Sequence, residues 1–323
     1  MPVILISNMV DKQPLEIIQS VIPQGFDVLF LSEGTREELL DKVPWADYIL
    51  ASGRLTIDAG VIENARKLKM IQRTGVGLDS IDIRKLQEKR IPLYVNKGVN
   101  SDSVAEHTVL LILAMLKRLV DINKELKDGI WVKQANGIKN REIKGRDVGL
   151  VGLGSIGRKC AQILRVFGAN IYYYDINRLS VDEEKAMGLR YLPFNSLVSS
   201  MDIISLHCAL TEETTHLFSA EEFLAMKDTA FIINTARGKL IDEKALYAAL
   251  VSGTISGAGL DVFEQEPLNS GNVLLKLDNV LVTPHIGGIT RDSYTSMIRE
   301  AMNNISLFEQ GRLEEIEEHR WKI

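Results

Sequence analysis

Short apolar runs alternate with polar or amphipathic stretches along most of the chain. In the first hundred residues, VILIS, FDVLFL, DYILAS, KMIQRTG and PLYVN are rich in β-branched and aromatic residues, and segments such as DIRKLQEKR lie between them. This βα repetition predicts a parallel sheet. From Ser101 the pattern changes, and SDSVAEHTVLLILAMLKRLVDINKEL predicts one long helix, apolar along one side, with the length to bridge two lobes. After Gly145 the alternation resumes as DVGLVGLG, NIYYYD, DIISLHC, AFIINTA, SGAGLDVF and NVLVTPH, with helical stretches in the gaps. A second doubly wound sheet is the expected result. Beyond Thr290, SYTSMIREAMNNISLFEQG predicts an amphipathic helix that returns to the first lobe, and the acidic EEIEEH reads as a solvated helix end. The expected fold class is α/β with two doubly wound parallel-sheet domains. One is formed by 1–100 with 290–323, and the other, 101–289, is inserted in it.

Length supports that division, because 323 residues exceed what one ordinary core organises, so two lobes and a ligand cleft are expected. At 46% hydrophobic and 25% charged residues, the composition suits buried sheets and not disorder. A net charge of -5, without a basic arm or stripe, argues against nucleic acid or an anionic membrane as partner and favours a small-molecule ligand. The start, MPVILISNMVDK, lacks the basic segment and long apolar region of a signal peptide, and the longest apolar run, Val109 to Leu116, is far short of a membrane span. A cytoplasmic protein is expected. Cys160 and Cys208 lack CxxC spacing, so neither a disulfide framework nor a metal site is expected, and both read as core thiols.

The first motif that carries chemistry is VGLGSIGR, with Gly152, Gly154 and Gly157 in GxGxxG spacing after an apolar strand and before a helical pattern. Spacing alone is weak evidence, but here the context meets the physical requirement. The first glycine permits a tight turn, the second lets backbone approach a pyrophosphate, and the third allows close helix–strand packing. Ser155 and Ile156 then open a helix whose free N–H groups hold phosphates. The next strand, NIYYYD, ends at Asp175, where a carboxylate accepts hydrogen bonds from ribose hydroxyls and repels a 2′-phosphate. NAD(H) is therefore expected in preference to NADP(H), although Arg178, close behind, tempers that preference.

Three later strands deliver charged residues to the same expected sheet edge: Arg237 in INTARGK, Asp261 and Glu266 in LDVFEQEPL, and His285 in TPHIGG. Seen alone, His285 reads as a turn histidine. Together these residues supply what hydride-transfer chemistry needs: a cation for a substrate carboxylate, a proton donor for a carbonyl oxygen, and a carboxylate that favours the donor's charged form.

In TGVGLDSID, VNKGVNSDSVAEHT, VGLVGLGSIGR, HCALTEETTHLF, INTARGKLID, GAGLDVFEQEPL and TPHIGGIT, the chain resembles the D-isomer-specific 2-hydroxyacid dehydrogenases over nearly its whole length. The resemblance implies an NAD-binding Rossmann domain at 101–289, inserted in a flavodoxin-like substrate domain, and reversible hydride transfer between NADH and a small 2-oxo acid. By it, Arg237 holds the substrate and polarises its carbonyl, His285 gives or takes the proton, and Glu266 pairs with His285. Backbone N–H groups at Val76 and Gly77 receive the substrate carboxylate. Thr214, Ala236, Asp261 and Gly287 join Gly152, Gly154, Ser155, Ile156, Gly157 and Asp175 as cofactor contacts, with Asp261 toward the nicotinamide carboxamide. A homodimer built through the 101–125 helix and the segment around Trp131 is also implied.

Departures from the family pattern fall on the substrate side. Lys97 and Ala209 stand where prolines are usual, Val95 where an asparagine leads, and Gly287 where alanine is common. The missing methyl at Gly287 is expected to leave room beside the site. Arg54 and Arg73, at first-lobe strand ends, read either as anion ligands or as ordinary exposed arginines. His107 and His207 read as structural, and the sequence offers no partner for His216 or His319. Two other readings stay open: an NADH-sensing, corepressor-like interaction protein, disfavoured for want of a long flanking tail, and different hydride chemistry such as phosphite oxidation.

Overall fold

The computed structural model describes every residue except Arg54 and Ile323, so the expectation for Arg54 lies outside the described residues. The chain divides into two compact units, Met1–Asn100 with Thr290–Ile323, and Ser101–Ile289.

In the first unit, β1 (Val3–Met9), β2 (Asp27–Leu31), β3 (Tyr48–Ala51), β4 (Met70–Arg73) and β5 (Leu93–Val95) form a sheet in the order β2-β1-β3-β4-β5. All its pairings are parallel, and the order is the flavodoxin-like one. Alternate side chains serve opposite layers, as the period of a strand requires. Leu5, Ile49, Ile71 and Leu93 enter one core, whereas Ile4, Ile6, Leu50 and Met70 enter another. The second core is completed by Ile298, Ala301, Met302 and Ile305 of the helix Arg291–Glu309. That helix starts where Thr290 accepts a hydrogen bond from the Ser293 N–H. EEIEEH is solvated, its glutamates exposed, but it is not the end of that helix. It lies in a 3-10 turn, Leu313–His319, with Ile316 buried, after which Trp321 N–H donates to Leu93 O at 2.8 Å. The tail thus covers an otherwise open sheet edge at β5. His319 finds partners there, with Nε2 3.1 Å from Glu300 and Nδ1 3.2 Å from the Val95 carbonyl.

The second unit holds β6 (Asp147–Val151), β7 (Asn170–Tyr174), β8 (Arg190–Tyr191), β9 (Ile203–Leu206), β10 (Phe231–Asn234), β11 (Gly257–Leu260) and β12 (Val280–Val282). Their order is β12-β11-β10-β9-β6-β7-β8, again wholly parallel. Counted from β6 this is the dinucleotide-fold order 3-2-1-4-5-6 with one strand added, so the chain reverses direction across the sheet between β6 and β9. β8 has two residues, too few to leave an alternation in the sequence.

The long helix expected from Ser101 is broken. It ends at Lys117, Arg118 adopts the left-handed conformation (φ 49°), and a second helix runs Leu119–Lys127. Ala105, Val109, Leu111 and Ile112 of the first helix share a core with Val148, Leu150, Ile203 and Ile233, so it is an outer layer of this unit's sheet. The second helix buries no residue. Cys160 sits in that core, where burial pushes its thiol up to about 12. Among the described residues no helix is long and apolar enough to cross a membrane, and no group of three His, Cys, Asp or Glu is placed to hold a metal.

Candidate active site

A parallel sheet presents all its strand ends on one edge, and ligands in such folds sit there. At this edge of the second unit the turns after β6, β7, β9, β10, β11 and β12 carry most of the residues of interest.

After β6 the chain turns at Gly152, whose φ of 97° disfavours any side chain. A Cβ there would also stand 2.6 Å from the Cys208 nitrogen, and one at Gly157 would overlap the Gly152 carbonyl. At Gly154, by contrast, a Cβ would meet nothing within 4 Å, so the backbone is open on that side. The helix Ser155–Val166 makes its first backward bond from Arg158 N–H to Gly154 O. The N–H groups of Ser155, Ile156 and Gly157 precede that bond and are available to an anion. Asp175, half-buried after β7, accepts from Leu153 N–H at 2.7 Å and Asn177 N–H at 2.8 Å. A pyrophosphate and a ribose diol fit this cradle: open backbone, helix N–H donors and a carboxylate with acceptor sites to spare.

After β10 comes the turn that carries Arg237. Buried Asn234 closes it from both sides, its Oδ1 accepting from Ala236 N–H at 3.0 Å and its Nδ2 donating to Arg237 O at 2.9 Å. The Arg237 guanidinium donates to Ala236 O at 2.7 Å. Gly238 follows because nothing larger fits: a Cβ there would overlap the Phe263 carbonyl. The Arg237 turn therefore lies directly on the loop that carries Glu266.

His285, after β12, also has a left-handed backbone (φ 53°), a conformation that costs a non-glycine residue about 1–3 kcal/mol unless its surroundings impose it. Its N–H donates to Asp261 O at 2.7 Å, which holds it there. The ring is 48% exposed, enough for a small substrate to reach. Its Nδ1 lies 2.6 Å from Glu266 Oε2, and Glu266 Oε1 accepts from Phe263 N–H at 3.0 Å. Burial pushes the Glu266 carboxyl up. The hydrogen bonds from His285 and Phe263, with the charges of His285 and Arg237, outweigh burial and leave it below the usual carboxylate value. An ionised Glu266 is the acceptor that fixes the imidazole with its Nε2 free of this pair.

Asp261 is almost wholly buried, at 1% exposure. Its Oδ1 accepts from the Thr283 hydroxyl at 2.6 Å and Ile286 N–H at 2.9 Å, and its Oδ2 from Gly287 N–H at 2.8 Å. His107, on the helix Ser101–Lys117, reaches Thr283 Oγ1 at 2.9 Å and stands 3.5 Å from Asp261 Oδ1. Gly287 does not leave the room expected of a missing methyl: a Cβ there would come 2.9 Å from Asp261 Oδ2 and 3.1 Å from the His107 ring. The space is taken by His107. Sequence reasoning missed Asn234, Gly238 and Thr283 as supports, with only the glycine beside Arg237 offering a signal, and read His107 as structural without its partners Thr283 and Asp261.

Other expected residues hold local structure. Thr214 accepts from Thr211 N–H at 2.7 Å and donates to Ala209 O at 2.8 Å, which closes its turn. His216 pairs with Glu264 at 3.1 Å. His207, after β9, lies with Nε2 2.9 Å from Ser205 Oγ, and burial brings its pKa down to about 4, so it is neutral. In the first unit, Val76 is exposed on the turn after β4, and Arg73 Nε donates to Gly77 O at 2.7 Å, bracing that turn. Lys97 is exposed.

Comparison with known proteins points one way. The profile described as "D-isomer specific 2-hydroxyacid dehydrogenase, NAD binding domain" matches residues 109–287. The chain is 41% identical to a glyoxylate reductase of Thermofilum pendens over 281 residues, 86% of this chain and 83% of that protein. It is 40% identical to a hydroxypyruvate reductase of Thermotoga maritima over 260 residues, 80% of this chain and 83% of that one. Among solved structures, D-lactate dehydrogenase from Aquifex aeolicus, complexed with NAD and lactic acid, superimposes with a TM-score of 0.86 at 29% identity, covering 98% of each chain.

Proposed function

Because the chain belongs to the D-isomer specific 2-hydroxyacid dehydrogenases, NAD-binding oxidoreductases of CH–OH groups, we propose that His285, Glu266 and Arg237 interconvert a small 2-oxo acid and its D-2-hydroxy acid. The observation that carries this reading is the His285–Glu266 pair at 2.6 Å, on a loop pressed against the Arg237 turn. Arg237 binds the carboxylate and draws electron density from the carbonyl oxygen. His285 gives that oxygen a proton from Nε2, because Nδ1 is engaged by Glu266, and the charge of Glu266 balances the imidazolium beforehand. In the reverse direction Nε2 takes the hydroxyl proton. When bound, the reduced nicotinamide supplies the hydride for the carbonyl carbon.

The cofactor is held by the Gly152–Gly157 turn and Asp175, with Ala236, Thr214 and Gly287 along the same sheet edge. Asp261 shapes the His285 loop, and the one acceptor site left on its Oδ2 suits the amide of the nicotinamide. NADH is preferred because Asp175 disfavours a 2′-phosphate. The Val76–Gly77 turn of the first unit offers the backbone donors of a glycine turn, which suit an anion such as a carboxylate. A homodimer is supported by the apolar residues exposed between 119 and 138: Leu119, Val120, Leu126, Ile130, Trp131 and Ile138.

The named activities of the relatives direct the test to glyoxylate and hydroxypyruvate. With NADH and a panel that adds pyruvate, phosphohydroxypyruvate and branched 2-oxo acids, turnover is expected on glyoxylate or hydroxypyruvate. NADH binding without turnover on any of them would replace the enzyme by a sensor.

A further inference from the structure

Beside the ribose carboxylate sits an arginine whose charge is already engaged. Arg178 lies three residues after Asp175, where a cation would ordinarily welcome a 2′-phosphate. Its Nε donates to Glu184 Oε1 at 2.8 Å and its Nη2 to Glu184 Oε2 at 3.3 Å, a two-point pairing. The guanidinium also stacks over the Tyr191 ring, 4.5 Å from its centre. Glu184 is itself fixed: its side chain is 12% exposed, and buried Tyr173 donates to Oε1 at 2.9 Å while accepting from Leu179 N–H at the same distance. Glu184 sits in the helix Val181–Met187, anchored at its start by the reciprocal Ser180–Glu183 cap.

We infer that Glu184 is a specificity-determining residue, which excludes NADP(H) by holding the Arg178 guanidinium in a two-point ion pair beside Asp175. This rests on the NAD reading above and deepens it, since discrimination then has two parts. Asp175 repels the 2′-phosphate, and Glu184 withholds the only sequence-adjacent cation that would compensate. Glu184 is held below the usual carboxylate value, chiefly by its hydrogen bond from Arg178, and Arg178 is raised, chiefly by the same bond, so both stay charged at neutral pH. An arginine so neutralised contributes little to a further anion. Once freed, it has the planar donor fork that phosphate favours.

The test is direct binding, read by nicotinamide fluorescence, of NADH and NADPH to the full chain and its variants. E184Q is expected to tighten NADPH by about tenfold, the order expected of one released charge-assisted contact, and to leave NADH unchanged. E184Q/R178A should lose that gain. R178A alone should leave both dissociation constants within about twofold, because its charge is already spent on Glu184. An E184Q protein that binds NADH normally but gains nothing for NADPH overturns the inference, and so does a wild-type background in which R178A alone weakens NADPH markedly. If E184Q does not fold, R178A alone decides. Failure of the unmodified chain to bind NADH overturns the cofactor reading itself, and is read before any variant.

Discussion

Asp175 follows β7 and Asp261 follows β11, and each carboxylate accepts backbone N–H groups from the turn after the neighbouring strand: Leu153 after β6, Ile286 and Gly287 after β12. Chemically and topologically the two are alike. They differ in what is left over. A carboxylate offers about four acceptor sites. Asp175, half-buried, uses two of them on Leu153 and Asn177, whereas Asp261, at 1% exposure, uses three on Thr283, Ile286 and Gly287. One aspartate keeps acceptor sites to spare, as the proposed ribose contact needs, and the other is spent mainly on clamping the histidine loop. Residue type and strand-end position do not separate these uses, but burial and the count of accepted bonds do.

The strongest measurement asks what the clamped loop delivers. His285→Ala should lower turnover by about 10²–10⁴-fold, the range for a positioned acid–base group, with NADH binding near normal. Normal turnover would remove His285 from proton transfer and leave Asp261 clamping a loop without chemistry. The next pair sets the two aspartates against each other. Asp261→Ala strands the N–H groups of Ile286 and Gly287, which should cost about 1–3 kcal/mol of stability and lower kcat along with it. Asp175→Ala should weaken NADH by about tenfold while leaving the melting temperature and the kcat at saturating NADH nearly unchanged. Equal thermal losses in both variants would erase the distinction.

The smallest effect comes from His207, which lies against the Gly152–Gly157 turn. His207, neutral in the fold with a pKa of about 4, regains its ordinary value of 6.5 when unfolded. Between those values the unfolded chain binds more protons, so stability is complete above 6.5 and declines as pH falls toward 4. Denaturant midpoints should therefore drop across that window, and less so in His207→Gln. A variant with the same pH slope as the parent would place the titrating group elsewhere.

Much of the second unit was legible in the sequence because its strands are local apolar runs and its glycine turn meets local steric demands. The break at Arg118 was not, since a left-handed residue between two helical stretches leaves the apolar periodicity intact. β8 was too short, and the tail's role at β5 depends on a strand more than 200 residues earlier. The same limit governs the site. Arg237, Glu266 and His285 follow strand ends and are visible as motifs, but Asp261 became a clamp only when His107, Thr283 and Gly287 were placed around it. The expected space at Gly287 failed for that reason: the occupant comes from a helix 180 residues away in sequence.

Gly238 carries a lesson for anyone reshaping this protein. With no room for even a methyl between it and the Phe263 carbonyl, the stretches 234–238 and 263–266 behave as one component that happens to be encoded in two places. A library that randomises either stretch separately will mostly return misfits, whereas exchanging both together, as a matched cassette from one relative, keeps the arginine and the histidine's carboxylate in step. The part to exchange is the pair of loops, not either one.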